Sequence, residues 1–157
     1  MPVRRRVAGK VAVVAEFLFA CPGYARRVSD DADLTVLGRP VRGPVDHVET
    51  FPAPANSHRV RFLTDEVASV CPVTGQPDLS SVEIDYAPRE RCVESKSLKH
   101  YLWSFRDRPV FAEALAAEIA EEIQRATDAR RVRVVVTQHV RGGIVTECTT
   151  ELGELQA

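Results

Sequence analysis

No C-x-x-C pair occurs among the four cysteines of this chain, Cys21, Cys71, Cys92 and Cys148, and they are too widely spaced to suggest a disulfide framework. A chain of 157 residues is large enough not to need such staples, which points to a reducing, cytoplasmic setting. The histidines at 47, 58, 100 and 139 show no ligand spacing with the cysteines, so no structural zinc or other metal is expected. An excess of charge is also lacking. The net charge of −1 gives no global attraction to a polyanion, and the local basic run Arg4, Arg5, Arg6 and Lys10 does not alter that expectation: no direct nucleic-acid partner. Long apolar runs are absent too. Val11 to Cys21 follows the arginines much as a signal peptide would, but Glu16 interrupts it and it is too short to span a bilayer. It reads as a short helix or strand, or as part of an extension, and no membrane partner is expected. There is no internal repeat and no low-complexity segment.

What is present suits one compact domain, with 45% hydrophobic and 27% charged residues. Gly38, Pro40, Gly43, Pro44, Pro52 and Pro54 break any periodicity between Tyr24 and Pro54. A boundary near residue 45 therefore separates an N-terminal extension (1–44, loop-rich or partly disordered) from the working domain (45–157). His58 to Thr64 alternates as a half-buried strand, and Ser80 to Ala87 repeats the pattern with Val82, Ile84 and Tyr86 inward. Between them Pro72, Gly75 and Pro77 predict a locked loop from Cys71 to Asp78. Leu98, Tyr101, Leu102 and Phe105 make the apolar stripe of a helix over Glu94 to Phe105. Asp107 before Pro109 signals the N-cap of a second helix running to Thr127, with Leu115, Ile119 and Ile123 on its inner face. Arg131 to His139 and Gly143 to Thr150 flank Arg141-Gly142-Gly143 as a hairpin. The order strand, strand, helix, helix, strand, strand predicts an α+β fold: an antiparallel four-stranded sheet with two helices on one face. Its edges are open, so pairing of subunits into a barrel is a physical expectation.

Chemistry concentrates between Cys71 and Trp103. Cysteine attacks electrophilic carbon near neutral pH when donors or a cation favour its thiolate, and Cys71 lies on the locked loop. The bland reading, a small buried hydrophobe, competes with this and is preferred for the other three cysteines. Asp78 can exchange a proton if burial raises its pKa; otherwise it is a turn aspartate bonded to its own backbone. Glu94, Ser95, Lys96, Ser97 and Lys99 gather at a helix start, where backbone N–H groups and the dipole favour anions such as a cofactor phosphate, although an ordinary capped, solvated helix start has the same composition. Arg141 and Gly142 offer a cation on a turn that a ligand can approach closely, which a two-glycine hairpin also explains.

The motifs CPVTGQPD, beginning at Cys71, and VESKSLKHYLWSF, beginning at Val93, resemble together the short form of the NADPH-dependent 7-cyano-7-deazaguanine reductases. These belong to the tunnelling-fold family, and the similarity covers roughly Val48 to Ile144. The resemblance implies that Cys71 attacks a nitrile carbon to give a covalent thioimide and that Asp78 supplies a proton. Two NADPH-derived hydrides then give the amine, in queuosine biosynthesis and tRNA modification. It assigns Lys96, Lys99, Arg141 and Gly142 to NADPH, and Glu113, with Glu94 and Ser95, to the 7-deazapurine substrate. A carboxylate accepting paired N–H donors is the expected reader of a guanine-like edge. It further implies a homo-oligomer with sites at subunit interfaces.

One departure bears on activity. The family usually has histidine immediately before that glutamate, whereas this chain has Ala112. An amidine-forming relative, in which ammonia attacks the thioimide, therefore stands as the alternative. A non-catalytic 7-deazapurine-binding module is a second, and a zinc cyclohydrolase of the same fold is disfavoured for want of metal-ligand spacing. Residues 1 to about 40 have no counterpart in the resemblance.

Overall fold

The structure is a computed structural model that describes residues 34–153. The basic run, the Val11–Cys21 segment and Cys21 itself lie outside the described residues. Six strands and two helices follow in order: β1 (Thr50–Pro52), β2 (Val60–Val70), β3 (Pro77–Ala87), β4 (Arg91–Val93), α1 (Ser95–Trp103), α2 (Ala112–Thr127), β5 (Arg131–Arg141) and β6 (Ile144–Gly153). The four long strands form one antiparallel sheet in the order β2-β3-β5-β6. This is the expected α+β arrangement, with one element not foreseen: β1 and β4 pair as a two-stranded ribbon, three residues a side. Strands so short leave no alternation to read. The ribbon is fastened to the sheet where the Val93 N–H donates to the Tyr86 hydroxyl, 2.8 Å.

Both helices cover the same face. Val82, Ile84 and Tyr86 of β3 and Val132, Val134 and Val136 of β5 meet Leu115, Ile119 and Ile123 of α2 and Leu98, Tyr101 and Phe105 of α1 in a single core. Helix α2 lies across β5 and β6, and α1 against β2. The opposite face carries a cross-strand ladder of charge: Arg61 donates to Glu83 at 2.6 Å, and Arg133 lies between Glu83 and Glu151. Opposite charges directly across strands, Arg133 with Glu151, or diagonal to one another, as Arg61 and Arg133 are to Glu83, support the register.

Three of the boundaries that differ from the sequence reading bear on the site. Strand β2 does not stop at Thr64 but runs on to Val70, through a bulge between Thr64 and Val67. An extra residue reverses the parity of the pattern, so Phe62 and Thr64 before the bulge are continued by Val67 and Ser69 after it. Strand β3 begins at Pro77, so Asp78 is a strand residue paired with Ser69, and the loop proper is only residues 71–76. Proline is tolerated there because the first residue of a strand need not donate. Helix α2 starts at Ala112, and Asp107 is not its cap: Phe111 occupies that position with no side-chain cap bond. Residues 108–110 are drawn instead into a parallel bridge with Val70, whose N–H donates to Arg108 O at 3.0 Å and whose carbonyl accepts from Val110 N at 3.1 Å.

The segment 34–49 packs on the start of α1. The Glu49 carboxylate accepts from the backbone N–H of Val36 (2.8 Å) and Leu37 (3.0 Å) and from that of Thr35, while Val36 is buried. The Lys96 ammonium closes the same segment by donating to the carbonyls of Val36, 2.9 Å, and Arg39. No helix among the described residues is long and apolar enough to cross a membrane.

Candidate active site

The loop between β2 and β3 is held at its neck. Cys71 N–H donates to Gln76 O and Gly75 N–H to Cys71 O, both 2.9 Å. The second bond requires the chain to turn back sharply, and Gly75 does so at φ +70, where an L side chain would be strained. The turn aims donors at the cysteine sulfur. The Thr74 hydroxyl, then the backbone N–H groups of Thr74 and Val73, then Arg141 stabilise the thiolate against a small burial penalty, and the Cys71 thiol is brought down to about 7. A thiol so placed is substantially ionised at neutral pH and partly exposed, which is the state of a nucleophile rather than of a core cysteine. Cys148 shows the opposite: burial first, then the nearby Glu113 and Glu147 charges, push its thiol up. Cys92 is buried.

Asp78, 2% exposed, meets the same Arg141 guanidinium as this thiol. A buried carboxylate needs a donor or a countercharge, and two side chains from the end of β5 meet it: Gln138 Nε2 donates to Oδ2 at 3.1 Å, and the Arg141 guanidinium forms an ion pair at Oδ1, which accepts no hydrogen bond among the described residues. The β5–β6 register shifts between Gln138 and Arg141, and such an irregularity re-aims side chains at a strand end. Gly142 and Gly143, at φ +58 and +82, close the hairpin. The sheet therefore unites Cys71, Asp78 and Arg141, as the sequence suggested only for the first two. Gln138 and Thr74 were missed. Gln138 left a trace, because it occupies the parity of Val132, Val134 and Val136, where an apolar residue is expected. Ser80 repeats the sign on β3, with a buried hydroxyl that meets no partner among the described residues.

The remaining predicted residues are not joined to this cluster by any hydrogen bond or ion pair within the described chain. Glu113 is exposed in the first turn of α2, close enough to Cys148 to affect it. Glu94 caps α1, its two oxygens accepting from Lys96 N (2.8 Å) and Ser97 N (2.7 Å). Ser95 and Lys99 line a groove of about 620 Å³ between α1 and β2, with Trp103, Arg106, Leu63 and Glu66. Lys96 is turned toward Val36 and Arg39, as described. Among the described residues no cluster of histidine, cysteine or carboxylate side chains could hold a metal.

The fold and this site define a class: a two-helix, antiparallel-sheet protein that presents an activated cysteine beside a buried carboxylate. The family described as QueF-like protein matches residues 77–157, and the chain belongs to it. Among curated relatives, the NADPH-dependent 7-cyano-7-deazaguanine reductase of Alkalilimnicola ehrlichii is 44% identical over 110 residues, 69% of this chain and 85% of the relative. That of Anaeromyxobacter sp. is 45% identical over 116 residues, 73% and 95%. That of Syntrophobacter fumaroxidans is 42% identical over 130 residues, 79% and 84%. Among solved structures, the apo form of the archaeosine synthase QueF-Like superposes with a TM-score of 0.60 at 28% identity, covering 66% of this chain and all of that one.

Proposed function

We propose that the protein reduces the nitrile of 7-cyano-7-deazaguanine to the 7-aminomethyl group at the expense of NADPH, as its similarly named relatives do, in the cytoplasmic synthesis of queuosine. The observation that carries this reading is the Cys71 thiol, poised near neutral pH beside Asp78 in a chain of this family. The Cys71 sulfur forms a bond to the nitrile carbon as the C≡N π pair moves to nitrogen, and a proton reaches that nitrogen from Asp78, giving a thioimide. NADPH supplies two hydrides in succession when bound. The protein's part is to hold the carbon on Cys71 until the first has added, to take the sulfur back as thiolate when the imine leaves it, and to deliver protons to the nitrogen.

Glu113 reads the N–H donors of the deazapurine, with Glu94 and Ser95 at the helix start contributing. The groove beside α1 fits a phosphorylated dinucleotide: it offers Lys99 and Arg106 as cations and the exposed Trp103 face. Lys99 is the phosphate partner the groove exposes, Arg141 and Gly142 approach from the hairpin, and Lys96 joins them only if its two carbonyl bonds loosen. Copies of the chain assemble so that one protomer's groove is completed by another.

Purified protein is mixed with the nitrile and examined by intact mass, then given NADPH while the reduced-nicotinamide absorbance is followed. An adduct that disappears in Cys71→Ala, together with NADPH consumption, supports the reading. An adduct without NADPH consumption ends the reductase assignment, and conversion by an ammonium salt alone makes the protein amidine-forming.

A further inference from the structure

We propose that Arg141 is a shared positioning residue, one guanidinium divided between the Cys71 sulfur and the Asp78 carboxylate, so that how far it favours the Cys71 thiolate depends on Asp78. This goes beyond a cofactor contact for Arg141 and rests on the reading of Cys71 as the nucleophile. The geometry that supports it is local. Arg141 leaves the end of β5 at a register shift, pairs with Asp78 Oδ1 and donates to the Cys71 thiolate. Gln138, three residues earlier, holds Oδ2. Without a cation between them, a carboxylate that shares this guanidinium would oppose ionisation of the thiol. One planar, multiply donating cation offsets that opposition to the thiolate, and Arg rather than Lys has the fork to reach two acceptors.

The charged groups on the neighbouring elements are engaged elsewhere. Arg108, before α2, pairs bidentately with Glu118. His139 of β5 lies against Ser81. Glu113 of α2 acts on Cys148. The predicted coupling therefore runs through Arg141, with Gln138 fixing the carboxylate on its other side.

The test is the pH dependence of Cys71 alkylation by iodoacetamide, read by intact mass and peptide mapping in the full chain. Wild type is compared with Arg141→Ala, Arg141→Lys, Asp78→Asn and the double variant Arg141→Ala/Asp78→Asn. Because the probe needs neither nitrile nor NADPH, its result is separable from that of the reductase assay. Arg141→Ala is expected to raise the thiol pKa, slowing alkylation at pH 7 about twofold. Asp78→Asn moves it the other way by releasing the guanidinium to the sulfur. In the double variant the effect of removing Arg141 shrinks, since no carboxylate remains to repel the thiolate, and Arg141→Lys restores part of the wild-type profile. Superimposable profiles for wild type and Arg141→Ala overturn the proposal. So do strictly additive shifts, which would make Arg141 a partner of one group only.

Discussion

A carboxylate removed from water and a thiol that must lose its proton at neutral pH place opposite demands on one small volume. Asp78 and Cys71 meet them with very few donors. For Cys71 these are mostly backbone and hydroxyl groups of its own loop, with the Thr74 hydroxyl contributing most and Arg141 least. The sign of the consequence is fixed: lowering a thiol's pKa enlarges the nucleophilic fraction at and just below neutrality. With the thiol at about 7, formation of the Cys71–nitrile adduct rises with pH through that value and levels off above it. It falls roughly tenfold for each unit below. The check is a series of single-turnover adduct rates by intact mass from about pH 5.5 to about pH 8.5. A rate flat across neutrality would mean that the sulfur is not the titrating group. Thr74→Val, which removes the leading donor, moves the rising limb upward.

At the scale of elements, the start of α1 is a junction rather than a free helix end. Glu94 caps it, Ser97 Oγ accepts from Glu49 N at 2.9 Å and donates to Glu94 O at 2.8 Å, and Glu49 gathers three N–H groups of residues 35–37. Burial opposes ionisation of Glu49, but the donors of Leu37, Val36 and Thr35 outweigh it and hold its pKa below the ordinary carboxylate value. A depressed carboxylate contributes stability that is present above its unfolded pKa and is lost as pH falls through the lower folded one. Docking of residues 34–39 is therefore intact at neutral pH and weakens in acid. Glu49→Ala strands those N–H groups and is expected to destabilise the chain by about 2–4 kcal/mol. The measurements are a lower thermal midpoint and faster tryptic cleavage at Arg39 and Arg42; unchanged values for both would refute the junction. The two ends of this junction differ in how openly the sequence announced them. Helix α1 and the inner faces of β3, β5 and α2 were legible because each keeps one period for its full length. The ribbon, the bulged half of β2 and the entry to α2 were not, since each is set by partners distant in sequence: β4, the shifted parity at Val67, and Val70 bridging to Pro109. The site divides likewise. Cys71 and Asp78 stand in a motif, whereas the pairing of Arg141 and Gln138 with Asp78 exists only after β3 and β5 are laid side by side.

At the scale of the whole molecule, the chain has two open sheet edges and an unfilled groove along one of them. Strand β2 presents its outer edge to solvent with Leu63 67% exposed, and Trp103 faces the same groove 43% exposed. Strand β6 forms the other edge and exposes Ile144 and Val145 near its start. Long edges left unpaired are templates for pairing, and a stable contact between copies needs roughly 800 Å² from each partner. Edge-to-edge association of that size would wall the groove that a single protomer leaves open. The protein is thus expected to run in native mass spectrometry as a multiple of its 17.4 kDa chain. Leu63→Arg places a buried charge at each such junction and lowers the assembly state. Because the Ser95 and Lys99 groove is then half-walled, NADPH consumption falls with it. The Cys71 loop lies wholly within one protomer, so its alkylation still titrates at about 7, which separates loss of assembly from loss of fold. A chain that stays monomeric and turns over at full rate would show that each protomer's groove is sufficient alone.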